Sequence, residues 1–217
     1  MNKQPILTAL LASVLFVFSG LVQAATYKEG VDYELVAQPG KVEVPGKIEV
    51  REFFWYGCPH CYSLEAAVSS WKPSLNDDVN FIMTPAAMNK SWVNHAHAFY
   101  VAQALGKLDE ISPELFKAIH VKKQKVSSQK DLAEFFTQFG VDEGKFNKLF
   151  KSFSVSTKVR QARTLSSNYR LRGVPALVVN GKYLVKTKSG TSYQELLKVV
   201  DYLVEKERLA SKVALHP

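Results

Sequence analysis

Cysteine is scarce in this chain. Its 217 residues include only two, both in the segment Cys58-Pro59-His60-Cys61. A structural zinc site needs four ligands, and no further cysteine is present to supply them. Haem attachment needs histidine directly after the second cysteine, whereas Tyr62 stands there. A disulfide across two residues closes so small a loop that it restricts the unfolded chain little. The cysteine content therefore favours a redox-active dithiol over a metal site, a haem site or an inert cross-link.

The sequence also lacks an apolar run long enough to cross a membrane. The apolar segment 6–18 has about 13 residues, fewer than the roughly 20 that span a bilayer. It follows Lys3 and precedes Val22-Gln23-Ala24, an order typical of a cleavable signal peptide. We therefore expect residues 1–24 to be a signal peptide whose removal leaves 193 residues. Export would place the cysteines in an oxidising compartment.

Basic residues outnumber acidic ones by 28 to 20, but an exported chain with this excess need not bind nucleic acid. Lys122, Lys123 and Lys125 form one short cluster, which we interpret as a solvated helix end. His95 and His97 are two residues apart and therefore do not share a helix face. We expect no nucleic-acid partner and no metal site.

The hydrophobic pattern predicts an α/β domain interrupted by helices. The predicted elements in chain order are an edge strand at 33–36, a strand at 48–54, a helix at 58–71, a strand at 79–83, four helices between 89 and 153, a helix at 156–170, a strand pair around 180–181, and a final helix from 192. This order predicts a thioredoxin-like α/β fold, in which a central mixed β-sheet is flanked by helices. We expect residues 25–88 and 156–217 to form that domain and residues 89–155 to form an all-helical insertion.

Capping and turn residues set several of these boundaries. Ser112 followed by Pro113 predicts a helix that starts with a serine cap and a proline at its first position. Ser128 is predicted to cap the next helix. Asn180-Gly181 between two apolar runs is a strong signal for a tight β-hairpin.

The position of the dithiol predicts its reactivity. Cys58 lies between a strand end and a helix start, where free N–H groups and the helix dipole stabilise a thiolate. Pro59 suits the first helical position, and His60 adds a donor or a positive charge near the sulfur. Cys61 lies further into the helix and should be more buried. A lowered Cys58 pKa stabilises the dithiol relative to the disulfide, so the disulfide becomes a stronger oxidant.

Several segments together resemble the DsbA family, the bacterial periplasmic thiol:disulfide oxidoreductases of the thioredoxin superfamily. The segments that carry the resemblance are Glu52-Phe53-Phe54, Cys58-Pro59-His60-Cys61-Tyr62, Leu171-Arg172-Gly173-Val174-Pro175-Ala176 and residues 179–183. The resemblance implies that the Cys58–Cys61 disulfide is donated to reduced, unfolded exported proteins. It also implies reoxidation by a DsbB-type, quinone-linked membrane partner, with no cofactor beyond the disulfide itself.

The resemblance also implies roles for residues outside the CxxC motif. The Val174-Pro175 bond would be cis and would face the sulfurs, leaving the Val174 backbone free to pair with an extended substrate. Without the resemblance, a trans proline would be the expectation.

Two acidic residues match the family's acids near the active-site helix. Glu52 and Glu65 would relay the Cys61 proton through water, although Glu65 can equally be read as an exposed helix residue. The family often has a lysine near the buried acid, and Met83 takes that place here. We therefore expect Glu52 to lack an ion-pair partner and to have a raised pKa.

Two other functions remain open from the sequence. A disulfide isomerase or reductase kept reduced would use the same chemistry, but the isomerases carry an N-terminal dimerisation domain. Only about 22 residues, 25–46, precede the first central strand, too few for such a domain. We therefore expect a monomer. A peptide-binding chaperone with incidental thiols is the second alternative.

Overall fold

The structure is a computed structural model that describes residues 27–187 and 190–215. The expected signal peptide, residues 1–24, lies outside this part of the chain. Within the described residues, no helix combines the length and the apolar character that crossing a bilayer requires.

A five-stranded mixed sheet forms the centre of the fold. Its strands are β1 (Tyr33–Leu35), β2 (Ile48–Phe54), β3 (Val79–Pro85), β4 (Ala176–Val179) and β5 (Tyr183–Val185). Their spatial order is β1-β5-β4-β2-β3, with β2 and β3 parallel and the other pairs antiparallel. All seven residues of β2 are buried, because helices cover both faces of this central strand.

In the described part of the chain, seven α-helices surround the sheet. They are α1 (Pro59–Trp71), α2 (Lys90–Ala104), α3 (Leu108–His120), α4 (Gln129–Thr137), α5 (Glu143–Phe150), α6 (Phe153–Asn168) and α7 (Tyr193–Leu215). Four of them, α2 to α5, follow one another between β3 and α6 as an all-helical insertion. The predicted thioredoxin-like fold with a helical insertion is confirmed. The predicted boundaries between the thioredoxin-like domain and the insertion, at residues 88/89 and 155/156, stay a prediction.

The predicted helix start at Ser112-Pro113 is wrong. Helix α3 begins before this pair, so Pro113 lies inside the helix. Asp109 and Glu110 fall in the first turn, where negative charges stabilise the positive end of the helix dipole. These two acidic residues therefore determine the start of α3 more strongly than the serine–proline pair does. Ser112 is buried instead, and its Oγ accepts a hydrogen bond from the Tyr56 hydroxyl at 2.8 Å.

Two other predicted helix starts lie within three residues of the observed ones. Ser128 forms a capping box with Asp131 at the start of α4. Helix α6 begins three residues before the predicted position 156, because Ser152 caps it by accepting a hydrogen bond from the Val155 amide.

The β4–β5 hairpin is also confirmed. Asn180 and Gly181 both have positive φ, 49° and 63°, as the tight hairpin turn requires. Glycine is needed at position 181 for a second reason. A Cβ there would lie 2.4 Å from the Gly40 carbonyl oxygen, which belongs to the loop before β2. The turn therefore fixes both the hairpin and the path of that loop.

The buried residues form two large cores that meet at the active-site segment. One lies among α1, α7 and the sheet, and includes Val50, Leu64 and Val200. The other fills the helical insertion and includes both cysteines. Because the cysteines belong to the second core, the insertion covers one side of the dithiol.

A buried ionic group on β2 was not predicted from the sequence. Arg51 is almost fully buried, and its Nε donates to Glu49 Oε1 at 2.9 Å. Its two terminal nitrogens donate to Thr84 Oγ1 at 2.7 Å and to Glu43 Oε1 at 2.9 Å. The side chains of 49 and 51 point away from the face that carries Glu52, because neighbouring residues of a strand alternate. Arg51 thus joins β2, β3 and the preceding loop.

Replacing Arg51 with methionine should destabilise the fold by about 3–5 kcal/mol, because Glu49 would be left as a buried charge without its partner. Urea unfolding checks the value. Lys107→Met is the matched control, since it removes an exposed ion pair with Glu110 and should cost less than about 1 kcal/mol. A loss as small as that of the control would contradict a structural role for the buried pair.

Candidate active site

The loop between β2 and α1 places Cys58 at the end of the central strand. The Cys58 amide donates to the Trp55 carbonyl at 2.9 Å, which closes a tight turn. Gly57 is required here, since a Cβ would lie 2.3 Å from the Trp55 indole. That indole stacks on Trp92 of α2 at a centroid distance of 4.7 Å. The turn is therefore held from the side of the helical insertion.

Cys58 is the N-cap residue of α1 and Pro59 is its first helical residue, as predicted. Cys61 lies one turn further on and is completely buried, whereas Cys58 is 8% exposed. Both cysteines are free thiols. An incoming thiol can therefore reach the sulfur of Cys58 but not that of Cys61.

The surroundings of Cys58 favour its thiolate. The pKa of Cys58 is lowered to about 6, chiefly because the Cys61 thiol donates a hydrogen bond to its sulfur. The backbone N–H groups of Cys61 and His60 and the charge of His60 act in the same direction, and burial opposes them. The first N–H groups of a helix have no partner within it, so they are available to the sulfur.

The pKa of Cys61 moves in the opposite direction. Its hydrogen bond to Cys58 and its burial raise the pKa well above the ordinary thiol range, and the charges of Cys58 and Glu52 add to this effect. The pair thus consists of one nucleophilic, acidic thiol and one buried thiol that keeps its proton.

Aromatic residues that the sequence did not single out surround the motif. Tyr193 at the start of α7 lies with its hydroxyl 3.4 Å from His60 Nδ1. His120 of α3 stacks on Tyr62, with ring centroids 5.1 Å apart, and its Nε2 lies 2.7 Å from the Tyr56 carbonyl oxygen. None of these residues forms a recognisable motif, because helices distant in sequence bring them together.

The Val174-Pro175 bond is cis, as the family resemblance implies. The Cys58 thiol donates to the Val174 carbonyl oxygen at 3.4 Å, so this loop faces the Cys58 sulfur directly. The structure therefore brings together Cys58, Cys61, His60 and the Val174-Pro175 pair.

Glu52 lies on β2, directly opposite Met83 of β3 in the parallel register. Its carboxyl is fully buried, and its Oε2 has no hydrogen-bond partner in the part of the chain that is described. Burial raises the pKa of Glu52 to about 8, and the charge of Glu65 contributes. The expected rise in the pKa of Glu52 is therefore observed.

Glu65 is half-buried on α1, so the reading as a simply exposed helix residue is wrong. Burial raises its pKa, while Lys72 opposes the shift. Together with Met83, it lines an open groove of about 480 Å³ beside β3. Glu65 lines this groove and Glu52 does not, although Glu65 Oε2 is itself buried and has no hydrogen-bond partner within the described residues.

A reactive thiol at a helix N-terminus, a buried second thiol and a facing cis-proline loop define a thioredoxin-fold thiol:disulfide oxidoreductase. Residues 76–199 match the family described as DSBA-like thioredoxin domain. The chain is 39% identical over 207 residues to the thiol:disulfide interchange protein DsbA of Pseudomonas aeruginosa PAO1, covering 95% of this chain and 98% of that one. It is 38% identical to its counterpart from Burkholderia cepacia, covering 92% and 95%.

Solved structures agree with the sequence comparison. The crystal structure of Pseudomonas aeruginosa DsbA matches with a TM-score of 0.80 and 39% identity, over 86% of this chain and 97% of that one. DsbA from Xylella fastidiosa matches with a TM-score of 0.77 and 33% identity, over 83% and 97%. The chain therefore belongs to the DsbA family of thiol:disulfide oxidoreductases.

Thiolate absorbance of the reduced protein should titrate at Cys58 with a midpoint near pH 6. His60→Ala should move the midpoint upward, because the positive charge near the sulfur is lost. Lys107→Ala, which changes a charge far along the sequence at the N-cap of α3, serves as the control and should leave the midpoint unchanged. A parent midpoint near 8.5, the value of a free cysteine, would contradict the described electrostatics.

Glu52→Gln should stabilise the reduced protein increasingly as pH rises. The folded pKa of Glu52 is raised, so its contribution to stability is complete below about pH 4.5 and is lost as pH rises through about 8. At about 1.36 kcal/mol per pKa unit, the variant should gain up to about 3 kcal/mol at pH 7 and almost nothing near pH 4.5. Urea unfolding across this range measures the difference, with exposed Glu110→Gln as the control. A gain independent of pH would rule out the buried, protonated carboxyl.

Proposed function

We propose that this protein is a periplasmic dithiol oxidase that donates its Cys58–Cys61 disulfide to reduced, unfolded exported proteins. The lowered pKa of Cys58 is the observation that supports this direction most strongly. Every interaction that favours the thiolate stabilises the reduced protein, and therefore makes its disulfide a better oxidant.

The oxidation proceeds by two thiol–disulfide exchanges. A substrate thiolate attacks Cys58 Sγ, forming a mixed disulfide and releasing Cys61, which takes up a proton. A second substrate thiolate then attacks the substrate sulfur of the mixed disulfide and expels Cys58 as a thiolate. The substrate loses two electrons and gains a disulfide, while the enzyme gains a dithiol.

The substrate segment would lie along the cis-proline loop. The Val174 carbonyl oxygen lies beside Cys58 Sγ, and in the complex the backbone of this residue would pair with an extended chain. Such main-chain pairing recognises any extended segment, which suits an enzyme with many unfolded clients.

The proton of Cys61 would pass through the buried Glu52 and the half-buried Glu65. The charge of Glu52 acts on Cys61, the charge of Glu65 acts on Glu52, and Glu65 lines the solvent-filled groove beside β3. A carboxyl with a pKa of about 8 exchanges protons readily near neutral pH. Glu52 and Glu65 therefore act as relays, with water completing the path.

Reoxidation would come from a DsbB-type inner-membrane protein linked to quinone. The signal peptide at residues 1–24 would deliver the enzyme to the periplasm, where it would act as a monomer. It would need no cofactor besides the Cys58–Cys61 disulfide, no metal and no nucleic acid.

Cys58→Ser should abolish disulfide formation in a reduced soluble test protein. Cys61→Ser should abolish it as well, because a single thiol cannot form the Cys58–Cys61 disulfide that is donated. Ser63→Ala on the same helix serves as the control. A peptide-binding chaperone would keep its activity against aggregation in Cys58→Ser, and retained oxidation by that variant would contradict the proposed mechanism.

The redox state in the cell separates an oxidase from an isomerase or reductase. Trapping free thiols in growing cells with an alkylating agent should find Cys58 and Cys61 mostly as a disulfide. A mostly reduced pair would assign the protein to the isomerases or reductases.

A further inference from the structure

The positive charge of the chain is distributed unevenly. Residues 144–194 contain eleven Lys and Arg and neither Asp nor Glu. This stretch begins in α5, includes all of α6 and the cis-proline loop, and ends at α7. Residues 79–108, which include β3 and α2, also lack acidic residues. Helix α6 packs against α2, α5 and β3, and Glu143 is the one acidic residue on these three elements.

An exposed aromatic side chain lies within this basic region. Phe153, the first residue of α6, is 81% exposed, more than any other large apolar residue in the described chain. The Arg160 guanidinium lies 5.8 Å from the centre of its ring. Lys148 and Lys151 immediately precede it and are both exposed. Within residues 27–187 and 190–215, none of these three cations forms an ion pair.

The exposed residues of α6 form a stripe. The buried residues Val155, Val159 and Ala162 fix the inner face of the helix. Phe153 and Arg160 are seven residues apart and lie on the opposite face. Since α6 has 16 residues, this stripe runs for roughly 24 Å along the surface.

We propose that the exposed face of α6, with Phe153 and its neighbouring cations, binds the surface of an anionic lipid bilayer. Lysine and arginine near a bilayer are attracted by acidic headgroups, and an exposed ring gains by entering the boundary between headgroups and acyl chains. An acidic protein would account for the cations but would not by itself account for the exposed Phe153 ring. The combination therefore favours a lipid surface.

The same face leads towards the active site. After α6 the chain passes through the exposed cations Arg170 and Arg172 and reaches Val174, whose carbonyl faces Cys58. A bilayer that contacts α6 along its length would hold the dithiol close to the membrane surface. This consequence is independent of the oxidase direction, since it concerns only where the protein lies.

Vesicle sedimentation tests the proposal. The protein is purified after export, with its N-terminus identified by mass spectrometry, and mixed with phosphatidylglycerol-containing or purely phosphatidylcholine vesicles. It should bind the anionic vesicles at low salt and not the neutral ones. Binding should disappear at about 1 M salt, where the Debye length is about 3 Å.

Two pairs of variants localise the binding face. The triple variant Lys148→Gln/Lys151→Gln/Arg160→Gln should weaken binding by about 100-fold, or about fivefold for each cation removed. Its matched control, Lys122→Gln/Lys123→Gln/Lys125→Gln, removes the same charge from the loop after α3 and should weaken it only a few-fold. Phe153→Ser should weaken binding by about tenfold. Val121→Ser, which replaces another exposed apolar residue, should leave it unchanged.

Oxidation of a soluble reduced peptide should be normal in all four variants, which separates lipid binding from the thiol chemistry. Three results would overturn the proposal: no binding to anionic vesicles at low salt, equal losses in the two triple variants, or full binding by Phe153→Ser. Binding to soluble polyglutamate without binding to vesicles would also overturn it and would assign the face to acidic proteins.

Discussion

The chemistry of this protein depends on the contact between the Cys58 sulfur and the N-terminus of α1. The central strand β2 ends just before the motif, and the Trp55–Gly57 turn directs the chain into the helix so that Cys58 becomes its N-cap. Helix N–H groups and the Cys61 thiol then stabilise negative charge on one sulfur. The burial of β2, the stacking of Trp55 on Trp92 and the facing cis-proline loop all maintain this contact.

Behind the dithiol, the surroundings of Glu52 favour the neutral form of the acid, whereas those of Cys58 favour the charged form of the thiol. Glu52 has a methionine beside it and, within residues 27–187 and 190–215, no hydrogen-bond partner for Oε2, so burial and the charge of Glu65 together raise its pKa. An ion pair would have fixed the carboxylate as an anion. Without one, the carboxyl remains close to balance between its two protonation states near neutral pH, as a proton relay requires. On the other side of the same strand, Arg51 compensates Glu49 fully. One strand therefore carries a paired buried acid and an unpaired one.

The sequence allowed the fold and the dithiol to be predicted because their signals are local. Alternating apolar residues, the Ser128 capping box and the Asn180-Gly181 turn each depend on neighbours in the chain. The start of α3 was predicted wrongly at Ser112-Pro113, because Asp109 and Glu110 favour an earlier start. Tyr193, His120 and the Arg51 group could not be found, since tertiary packing brings them to their partners. Met83 was placed opposite Glu52 only through the family resemblance, and the strand register then confirmed it.

The separation of the two thiol pKa values gives the redox couple an unequal proton count. Below about pH 6, reduction of the disulfide takes up two protons, and the reduction potential falls by about 59 mV per pH unit. Above about pH 6, Cys58 stays a thiolate and only one proton is taken up. The slope of the potential therefore halves to about 30 mV per pH unit. An ordinary client dithiol keeps the steeper slope up to about pH 8.5. The equilibrium for oxidising such a client therefore improves about tenfold with each pH unit between those limits. In an acidified compartment this advantage disappears, although every contact of the fold is intact.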